Sequence, residues 1–231
     1  MYTLITGNRG FIGSGLQGDG IDLKDGVDIL TYKAKKKYDV VIHTAARVSV
    51  TESEKDPDLY FKTNVQGTWN MVRQHPEAHF VYLSTAAIYG EGEGHTISSP
   101  FKPSSVYALT KYLGEVVVKE HAKSWCILRL TNVYGDEDRG EPNVLQIFRK
   151  SDVLPIYGDG FQTRDFIPVK MVRKAILDAC GKQGVFNVGS GTSQTIFSIA
   201  QSIGKPIQFL PPRDGEIRKF GIKDAFGINS K

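Results

Sequence analysis

A tyrosine and a lysine four positions apart, Tyr107 and Lys111, lie in a segment whose pattern predicts a helix over residues 104–121. A spacing of four places the phenol and the ammonium on one face of a helix, about one turn apart. A free phenol titrates near 10, and a cation held close lowers such a pKa by roughly 1 to 3 units. Tyr107 is then able to exchange a proton with a hydroxyl group, although on this pair alone an ordinary helix surface is the better interpretation.

Two hydroxyl side chains follow a predicted strand in the segment VYLSTAAIYG at residues 81–90. Ser84 and Thr85 stand where that strand ends, which is the edge at which parallel sheets present catalytic groups. A hydroxyl there can hydrogen-bond the same oxygen that Tyr107 deprotonates. Ser and Thr at strand ends are more often caps than catalysts, so the hypothesis depends on their occurrence together with the tyrosine–lysine pair and with a glycine-rich turn near the N-terminus.

That turn, TGNRGFIG, occupies residues 6–13, directly after a predicted strand and at the start of a predicted helix. Its glycines, Gly7, Gly10 and Gly13, are three residues apart, which allows a sharp turn and a close approach of bare backbone to a pyrophosphate. Amide hydrogens at a helix start face such an anion. The succession of strand, turn and helix predicts dinucleotide binding in preference to a purely structural turn.

An acidic residue for the adenosine ribose is expected about 20 positions beyond such glycines. Here Asp22 follows Gly13 closely, so the sequence predicts a very short first helix and allows the loss of one strand–helix unit. Asp22 is the first candidate for the ribose or adenine contact, and Asp28 is the second. Arg9, within the turn, is a candidate for a 2′-phosphate, which keeps NADP open beside NAD.

Short apolar runs alternate with longer segments of helical period along the chain. The runs are nearly continuous in apolar residues, as in strands that are buried on both faces. The predicted strands span residues 2–6, 38–44, 79–84 and 125–130, and the predicted helices span residues 57–74 and 104–121. This alternation predicts an α/β fold with a doubly wound parallel sheet.

From about residue 135 glycine and proline become frequent and the predicted elements become shorter. They are a helix at 170–181, a strand at 184–188 and a helix at 195–203. We interpret this part as a cap on the carboxyl ends of the strands, where open parallel sheets bind ligands.

The composition excludes several other classes of protein. The chain has 231 residues, of which 40% are hydrophobic and 23% charged, and this disfavours disorder and coiled coil. The net charge of +4 suits an anionic small molecule as well as nucleic acid, but the basic run at residues 33–37 lacks interleaved aromatic residues and does not indicate nucleic-acid binding. The histidines lack metal-ligand spacing, and two cysteines without a CxxC pair favour a reducing, cytoplasmic setting. No apolar run approaches the roughly 18 residues of a membrane span, so no membrane partner is expected.

Together these motifs resemble the extended short-chain dehydrogenase/reductase family, in its branch of nucleotide-sugar epimerases and dehydratases. The resemblance runs from residue 3 to about residue 218. It also rests on further segments, which are VVIHTAARVSV at 40–50, NVQGTWN at 64–70, LRLTNVYG at 128–135, IYGDGFQTRDFIPV at 156–169, FNVGSG at 186–191 and PPRDGE at 211–216. It implies a Rossmann-like sheet at residues 1–134 and a small C-terminal substrate-binding cap at residues 135–231, with some segments of the second part returning to the sheet. It further implies NAD as the cofactor, with NADP not excluded, and a homodimer of the kind that two helices of this fold often form.

The resemblance implies catalytic roles for Thr85, Tyr107 and Lys111, with Thr85 preferred to Ser84 because the family's hydroxyl lies four residues before the tyrosine of the IYG turn. The residues that it implies for the cofactor are Gly7, Asn8, Arg9, Gly10, Phe11, Ile12, Gly13, Asp22, Leu23, Thr44, Ala45, Ala46, Asn64, Tyr107, Lys111 and Asn132. The residues that it implies for the nucleotide-sugar substrate are Thr85, Asn132, Arg164 and Arg213. A bidentate, charged guanidinium suits a diphosphate group.

The same resemblance separates the reactions of the family. Its dehydratases carry an Asp-Glu pair directly after the catalytic threonine and its decarboxylases a Glu two residues after it, whereas this chain has Ala86 and Ala87 there. Elimination is therefore disfavoured, and 4-epimerisation of a UDP- or dTDP-hexose through a transient 4-keto sugar is the favoured reaction. An NADP-dependent 4-keto-sugar reductase and a non-catalytic dinucleotide-binding sensor stay as alternatives, although a sensor does not need all three catalytic residues.

Overall fold

The centre of the protein is a six-stranded parallel sheet. A computed structural model of the chain describes residues 1–135, 143–213 and 217–226. The strands of these residues are β1 (Thr3–Thr6), β2 (Asp19–Ile21), β3 (Val40–His43), β4 (His79–Thr85), β5 (Gly92–His95), β6 (Ser124–Leu130), β7 (Asn132–Tyr134), β8 (Leu154–Tyr157), β9 (Thr163–Pro168), β10 (Gly184–Val188), β11 (Ser193–Thr195), β12 (Ile207–Leu210) and β13 (Phe220–Ile222). The main sheet has the order β10-β6-β4-β3-β1-β2, and each neighbouring pair is parallel. The predicted doubly wound parallel sheet is thus confirmed.

The helices cover both faces of this sheet. They are α1 (Val50–Lys55), α2 (Pro57–Phe61), α3 (Thr68–Gln74), α4 (Val106–His121), α5 (Val144–Lys150), α6 (Val169–Ala179) and α7 (Ile196–Ile203). The prediction of one helix over 57–74 is incomplete, because a π-helix at Lys62–Gly67 separates α2 from α3. The helix α1 was not predicted; Ser49 caps its first turn by accepting a hydrogen bond from the N–H of Glu52.

The first helix is very short, as predicted, and it is not α-helical. The chain forms a 3-10 helix of only three residues, Gly13–Gly15, and then enters β2, so the strand of this unit is present and its α-helix is missing. Gly15 and Gly18 explain the difference, because each glycine costs a helix about 1 kcal/mol relative to alanine and the interval is too short for tertiary packing to compensate.

Apolar side chains pack on both faces of the main sheet. On one face, Leu128 of β6 belongs to the same buried cluster as Val172 and Ile176 of α6. On the other, Phe80 of β4 belongs to the cluster of Met71 in α3. Burying such a side chain contributes about 1.5–3 kcal/mol, so the two clusters fix the helices against the strands that end at the candidate site.

The remaining strands form three smaller sheets within the described residues. One has the order β11-β9-β7, and the pairs β12-β8 and β13-β5 complete the set within the described residues. A separate buried cluster joins α5, β8 and α7. The division at residues 134 and 135 stays a prediction. Within the main sheet, β10 pairs with β6.

Two absences concern the part of the chain that the structure describes. None of its helices combines the length and the apolar character that crossing a membrane requires. No group of three or more histidine, cysteine or acidic side chains in it is arranged to hold a metal ion. The predicted homodimer stays a prediction.

Candidate active site

The glycine-rich turn closes on itself and leaves its outer side open. The N–H of Gly10 donates to the carbonyl of Gly7 (2.9 Å), and the N–H of Ser14 donates to the carbonyl of Gly10 (3.1 Å). Gly7 has a φ of 70° and lies so near the loop after β3 that a Cβ atom on it would stand 2.8 Å from the backbone nitrogen of Ala45. A Cβ atom on Gly10 would meet the carbonyl oxygen of Gly7 at 3.1 Å and no other described atom within 4 Å. The backbone at Gly10 is therefore accessible to a ligand.

The side chains of Phe11 and Ile12 point into the protein. Ile12 packs against the buried cluster that α6 shares with the sheet, and the ring of Phe11 lies near Gly135. Neither N–H of these two residues donates a backbone hydrogen bond within the described residues. Phe11 and Ile12 therefore offer a cofactor their backbone N–H groups, as the glycines do. Asn8 packs over Gly20 of β2.

Two aspartates stand beside this turn at the end of β2. Asp22 accepts hydrogen bonds from the N–H of Arg9 (3.0 Å) and from that of Lys24 (2.9 Å). The guanidinium of Arg9 forms a bidentate pair with Asp25, at 2.7 and 3.0 Å. The predicted Asp22 thus lies next to the turn, with the exposed Leu23 beside it, whereas the carboxylate of Asp28 caps its own turn by accepting from the N–H of Leu30 (2.9 Å). Arg9 is held by a carboxylate, which disfavours a second anion such as a 2′-phosphate.

The loop after β3 is tied to the turn and to the helices behind it. Thr44 donates to the carbonyl of Thr6 (2.7 Å), and the N–H of Ala45 donates to the Thr6 hydroxyl (3.1 Å). Asn64, in the π-helix, exchanges two hydrogen bonds with the backbone of Arg47 (2.9 and 3.0 Å). The buried Asn64 side chain therefore holds the loop that contains the predicted Ala45 and Ala46, and its own polar atoms bind protein groups.

The predicted catalytic hydroxyl and phenol meet at the end of β4. Thr85 accepts a hydrogen bond from the N–H of Ala87 (3.2 Å), which caps a short 3-10 helix, and its hydroxyl lies near the Tyr107 phenol and favours the phenolate. Ser84 points to the other face of the strand and donates to the buried Glu115 (2.6 Å). The choice of Thr85 over Ser84 stays a prediction, which this placement favours.

Lys111 lies one turn beyond Tyr107 on the same face of α4. Its ammonium is buried, 4.2 Å from the centre of the Tyr82 ring, and burial lowers its pKa to about 7 while the negative charge of Glu115 opposes that change. An aromatic face attracts a cation and offsets part of the lost hydration.

The expectation that the pKa of Tyr107 falls below its usual value is wrong for the chain by itself. Burial raises the pKa of Tyr107 to about 12, and the Thr85 hydroxyl only partly opposes this. The reason is desolvation, which disfavours the phenolate and the ammonium alike. A lysine whose own pKa is near 7 provides only a partial positive charge at neutral pH.

Two of the predicted substrate residues, Asn132 and Arg164, lie on the small sheets. Asn132 of β7 donates to the carbonyl of Asp165 in β9 (3.2 Å). Arg164, also in β9, donates to the carbonyl of Thr163 (2.8 Å), and Arg213 follows β12 with its guanidinium carbon 3.7 Å from the centre of the Tyr157 ring. The last three residues of the PPRDGE segment, 214–216, lie outside the described residues, as do residues 136–142.

Two residues of the site were missed by the sequence analysis, although their positions carry a signal. Glu115 follows Lys111 by four positions, which places it on the same helix face, and Tyr82 precedes Ser84 by two, which places it on the same strand face. Buried Glu115 accepts two hydrogen bonds from buried Arg129, at 2.9 and 2.7 Å. The periods of helix and strand therefore identify them once Lys111 and Ser84 are chosen.

The residues at this edge of the sheet fit a dinucleotide. The open backbone of the turn suits a pyrophosphate, and the carboxylate of Asp22 suits the hydroxyls of a ribose. The negative charge of Asp22 favours NAD, which has a free 2′-hydroxyl, over NADP. When bound, NAD supplies reversible hydride transfer.

Comparisons with known proteins agree with this geometry. Residues 17–189 match the model of the NAD dependent epimerase/dehydratase family. The chain is 31% identical over 277 residues to a UDP-glucose 4-epimerase of Mycolicibacterium smegmatis, and this match covers 95% of this chain and 88% of that protein. It is 27% identical over 206 residues to a dTDP-glucose 4,6-dehydratase of Streptomyces griseus, and this match covers 80% of this chain and 63% of that protein.

Solved structures give the same result. The structure of Thermus thermophilus UDP-glucose 4-epimerase in complex with NAD matches with a TM-score of 0.82 and 29% identity, covering 97% of this chain and 91% of that one. Epimerases and dehydratases both occur among the relatives, so the comparisons establish the family and its cofactor while the reaction needs a separate argument. The chain belongs to the NAD-dependent epimerase/dehydratase family of nucleotide-sugar enzymes, and its cofactor is NAD.

Proposed function

We propose that this protein interconverts the two C4 configurations of a UDP- or dTDP-hexose through a transient 4-keto sugar. The observation that carries the proposal is the end of β4, where Thr85 meets Tyr107 and is followed by Ala86 and Ala87 instead of the acids that elimination requires. Glu115, one turn beyond Lys111, does not replace them, because its carboxylate is buried and bound by Arg129 and Ser84.

Each residue of the trio has a defined task in this proposal. Tyr107, as phenolate, accepts the proton of the sugar C4 hydroxyl, and Thr85 donates a hydrogen bond to the same oxygen. The Lys111 ammonium lowers the free energy of the phenolate. When the 4-keto sugar is reduced, Tyr107 returns the proton to that oxygen. Both directions need the same proton, so no net acid or base is consumed.

We propose that the second part of the chain, residues 135–231, holds the nucleotide of the substrate. Arg164 and Arg213 carry the positive charge that a diphosphate needs, and Arg213 lies against the Tyr157 ring, which restricts its guanidinium. Asn132 lies near the end of the first part, in β7. The first part, residues 1–134, then holds NAD through the turn, Asp22, Leu23 and the loop of Thr44, Ala45 and Ala46.

The reaction is tested with the purified protein, catalytic NAD and UDP- or dTDP-hexoses, with NMR of the sugar H4 couplings as the readout. We expect inversion at C4 without net change in NAD. A 4-keto-6-deoxy product would identify a dehydratase, stoichiometric oxidation of NADPH would identify a reductase, and binding of NAD without turnover of any sugar nucleotide would identify a sensor.

The mechanism is tested with Tyr107→Phe. We expect turnover to fall by about 10²-fold or more, because the proton acceptor is lost, while the Kd for NAD stays close to that of the wild type. Tyr112→Phe is the matched control, since it removes a phenol from the same helix and leaves Thr85 untouched. Equal turnover of Tyr107→Phe and the control would refute the proposed role.

A further inference from the structure

The loss of the first helix leaves the carbonyl groups of the glycine-rich turn without their usual partners. In a longer helix, the carbonyls of Phe11 and Ile12 accept hydrogen bonds from amides four residues later. Here the helix ends at Gly15, whose N–H reaches Ile12 only at 3.4 Å. Another donor is needed if these two peptide groups are to keep a helical orientation.

Arg173 of α6 provides that donor from a position far along the chain. Its guanidinium donates through Nη2 to the carbonyl of Phe11 (2.7 Å), through Nε to the carbonyl of Ile12 (3.0 Å), and through Nη2 to the hydroxyl of Ser14 (3.4 Å). It is only partly exposed, and it occupies the space beside Gly15, where a Cβ atom would overlap the guanidinium carbon. The glycine that weakens the helix therefore also makes room for the arginine.

The geometry of the peptide bond connects this contact to the open side of the turn. The carbonyl of Phe11 and the N–H of Ile12 belong to one planar trans peptide unit and point in opposite directions. A charged donor on the carbonyl fixes that plane and polarises the unit, so the N–H on the other side becomes a better donor. The same holds for the carbonyl of Ile12 and the N–H of Gly13.

We propose that Arg173 is a positioning residue for the cofactor, which replaces the missing helix by directing the amides of Ile12 and Gly13 toward the pyrophosphate of NAD. It does so from the opposite side of the peptide planes, without touching the cofactor. The inference rests on the proposed site at the glycine-rich turn.

The test compares ligands with and without the proposed target group. Calorimetry measures the Kd of the full chain for NAD, for ADP-ribose, which keeps the pyrophosphate, and for UDP, which binds the substrate side. For Arg173→Gln we expect the Kd for NAD and for ADP-ribose to rise about tenfold and that for UDP to stay within twofold. Arg173→Lys keeps one charged donor and should lie between this variant and the wild type.

Lys174→Gln is the matched control, because it removes a charge from the next position of α6, which is exposed and paired with Asp178. Gly15→Ala tests the same contact from the side of the turn, since the added methyl group displaces the guanidinium. It should weaken the binding of NAD and of ADP-ribose and leave the binding of UDP unchanged. If Arg173→Gln does not fold, Gly15→Ala and Arg173→Lys test the role of Arg173 with the same ligands.

The outcomes separate the inference from the site on which it rests. If the wild type binds neither NAD nor ADP-ribose, the proposed cofactor site itself is refuted. If the wild type binds both and the Arg173 and Gly15 variants bind them equally well, only the role of Arg173 is refuted. An equal loss for NAD, ADP-ribose and UDP, with a lowered Tm, would show that Arg173 only supports the fold.

Discussion

The pKa values of Tyr107 and Lys111, one turn apart on α4, determine how the activity depends on pH. With pKa values of about 12 and about 7, the pair holds two protons below pH 7 and one between these values. The reactive state, an ammonium beside a phenolate, also contains one proton, so it is a tautomer of the dominant amine–phenol state. We predict that kcat/KM rises with pH through an apparent pKa near 7 and then levels off.

Substituting Lys111 shows whether the step in kcat/KM near pH 7 comes from this lysine or from a group elsewhere in the protein. Lys111→Met leaves the phenol with no cation, so the step near pH 7 should vanish and activity should increase only toward the high pKa of Tyr107. The exposed Lys55, which pairs with Glu52, provides the control Lys55→Met. A step near pH 7 that persists in Lys111→Met would assign the titration to another group.

Asp22 and Asp28 were both candidates for the ribose contact, and the structure allows them to be distinguished. We predict that Asp22→Asn lowers the preference for NAD over NADP, measured as the ratio of the two Kd values, by about tenfold or more. The reason is that the carboxylate beside the turn repels a 2′-phosphate and binds a 2′-hydroxyl. Asp28→Asn should leave the ratio unchanged, because that side chain caps its own turn. The reverse result would make Asp28 the ribose ligand.

Among the elements, α4 positions the catalytic pair, and another helix fixes its start. Ser53 and Glu54 of α1 accept hydrogen bonds from the N–H groups of Tyr107 (3.0 Å) and Val106 (2.8 Å), which have no partner inside their own helix. The helical period predicted α4 to within two residues at its N-terminus. It did not predict α1, because the segment VTESEK has no apolar period and its formation depends on caps and on the contact with α4.

The glycine-rich turn shows the same division between local and distant causes. The turn itself and the position of Asp22 were predictable, since glycine spacing and the strand before it are local signals. The missing helix was only partly predicted, and Arg173 was not, because it lies about 160 positions away and nothing in its own neighbourhood marks it. A contact of that separation becomes visible only when the sheet has brought α6 beside β1.

In the molecule as a whole, one buried polar network connects α4, β4, β6 and β10. Arg129 binds Glu115 and donates to the Tyr89 hydroxyl (2.8 Å), which donates in turn to Asn187 (2.8 Å). In the sequence, no residue of this network differs by itself from an ordinary polar residue, and Arg129 lies among apolar strand residues. The pairing was not predictable because it joins a strand to a helix face that only the tertiary structure brings together.

This network gives a prediction about the stability of the whole fold. Glu115→Gln leaves the Arg129 charge buried without its carboxylate, and removal of one partner of such a pair costs about 3–5 kcal/mol of the free energy of unfolding. Since domains are stable by only about 5–15 kcal/mol, we expect a large drop in the urea midpoint. The exposed Glu120→Gln, on the same helix, should have no such effect.

A double variant then tests whether the cost comes from the unpaired charge. Replacing both Glu115 and Arg129 by leucine removes the charge together with its partner, so the double variant should be more stable than Glu115→Leu alone, whose arginine stays buried and uncompensated. Unfolding in urea at constant pH measures the wild type, Glu115→Leu, Arg129→Leu and the double variant. If the two substitutions simply add, the pair does not act as a unit, and the unpaired charge of Arg129 is not the cause of the lost stability.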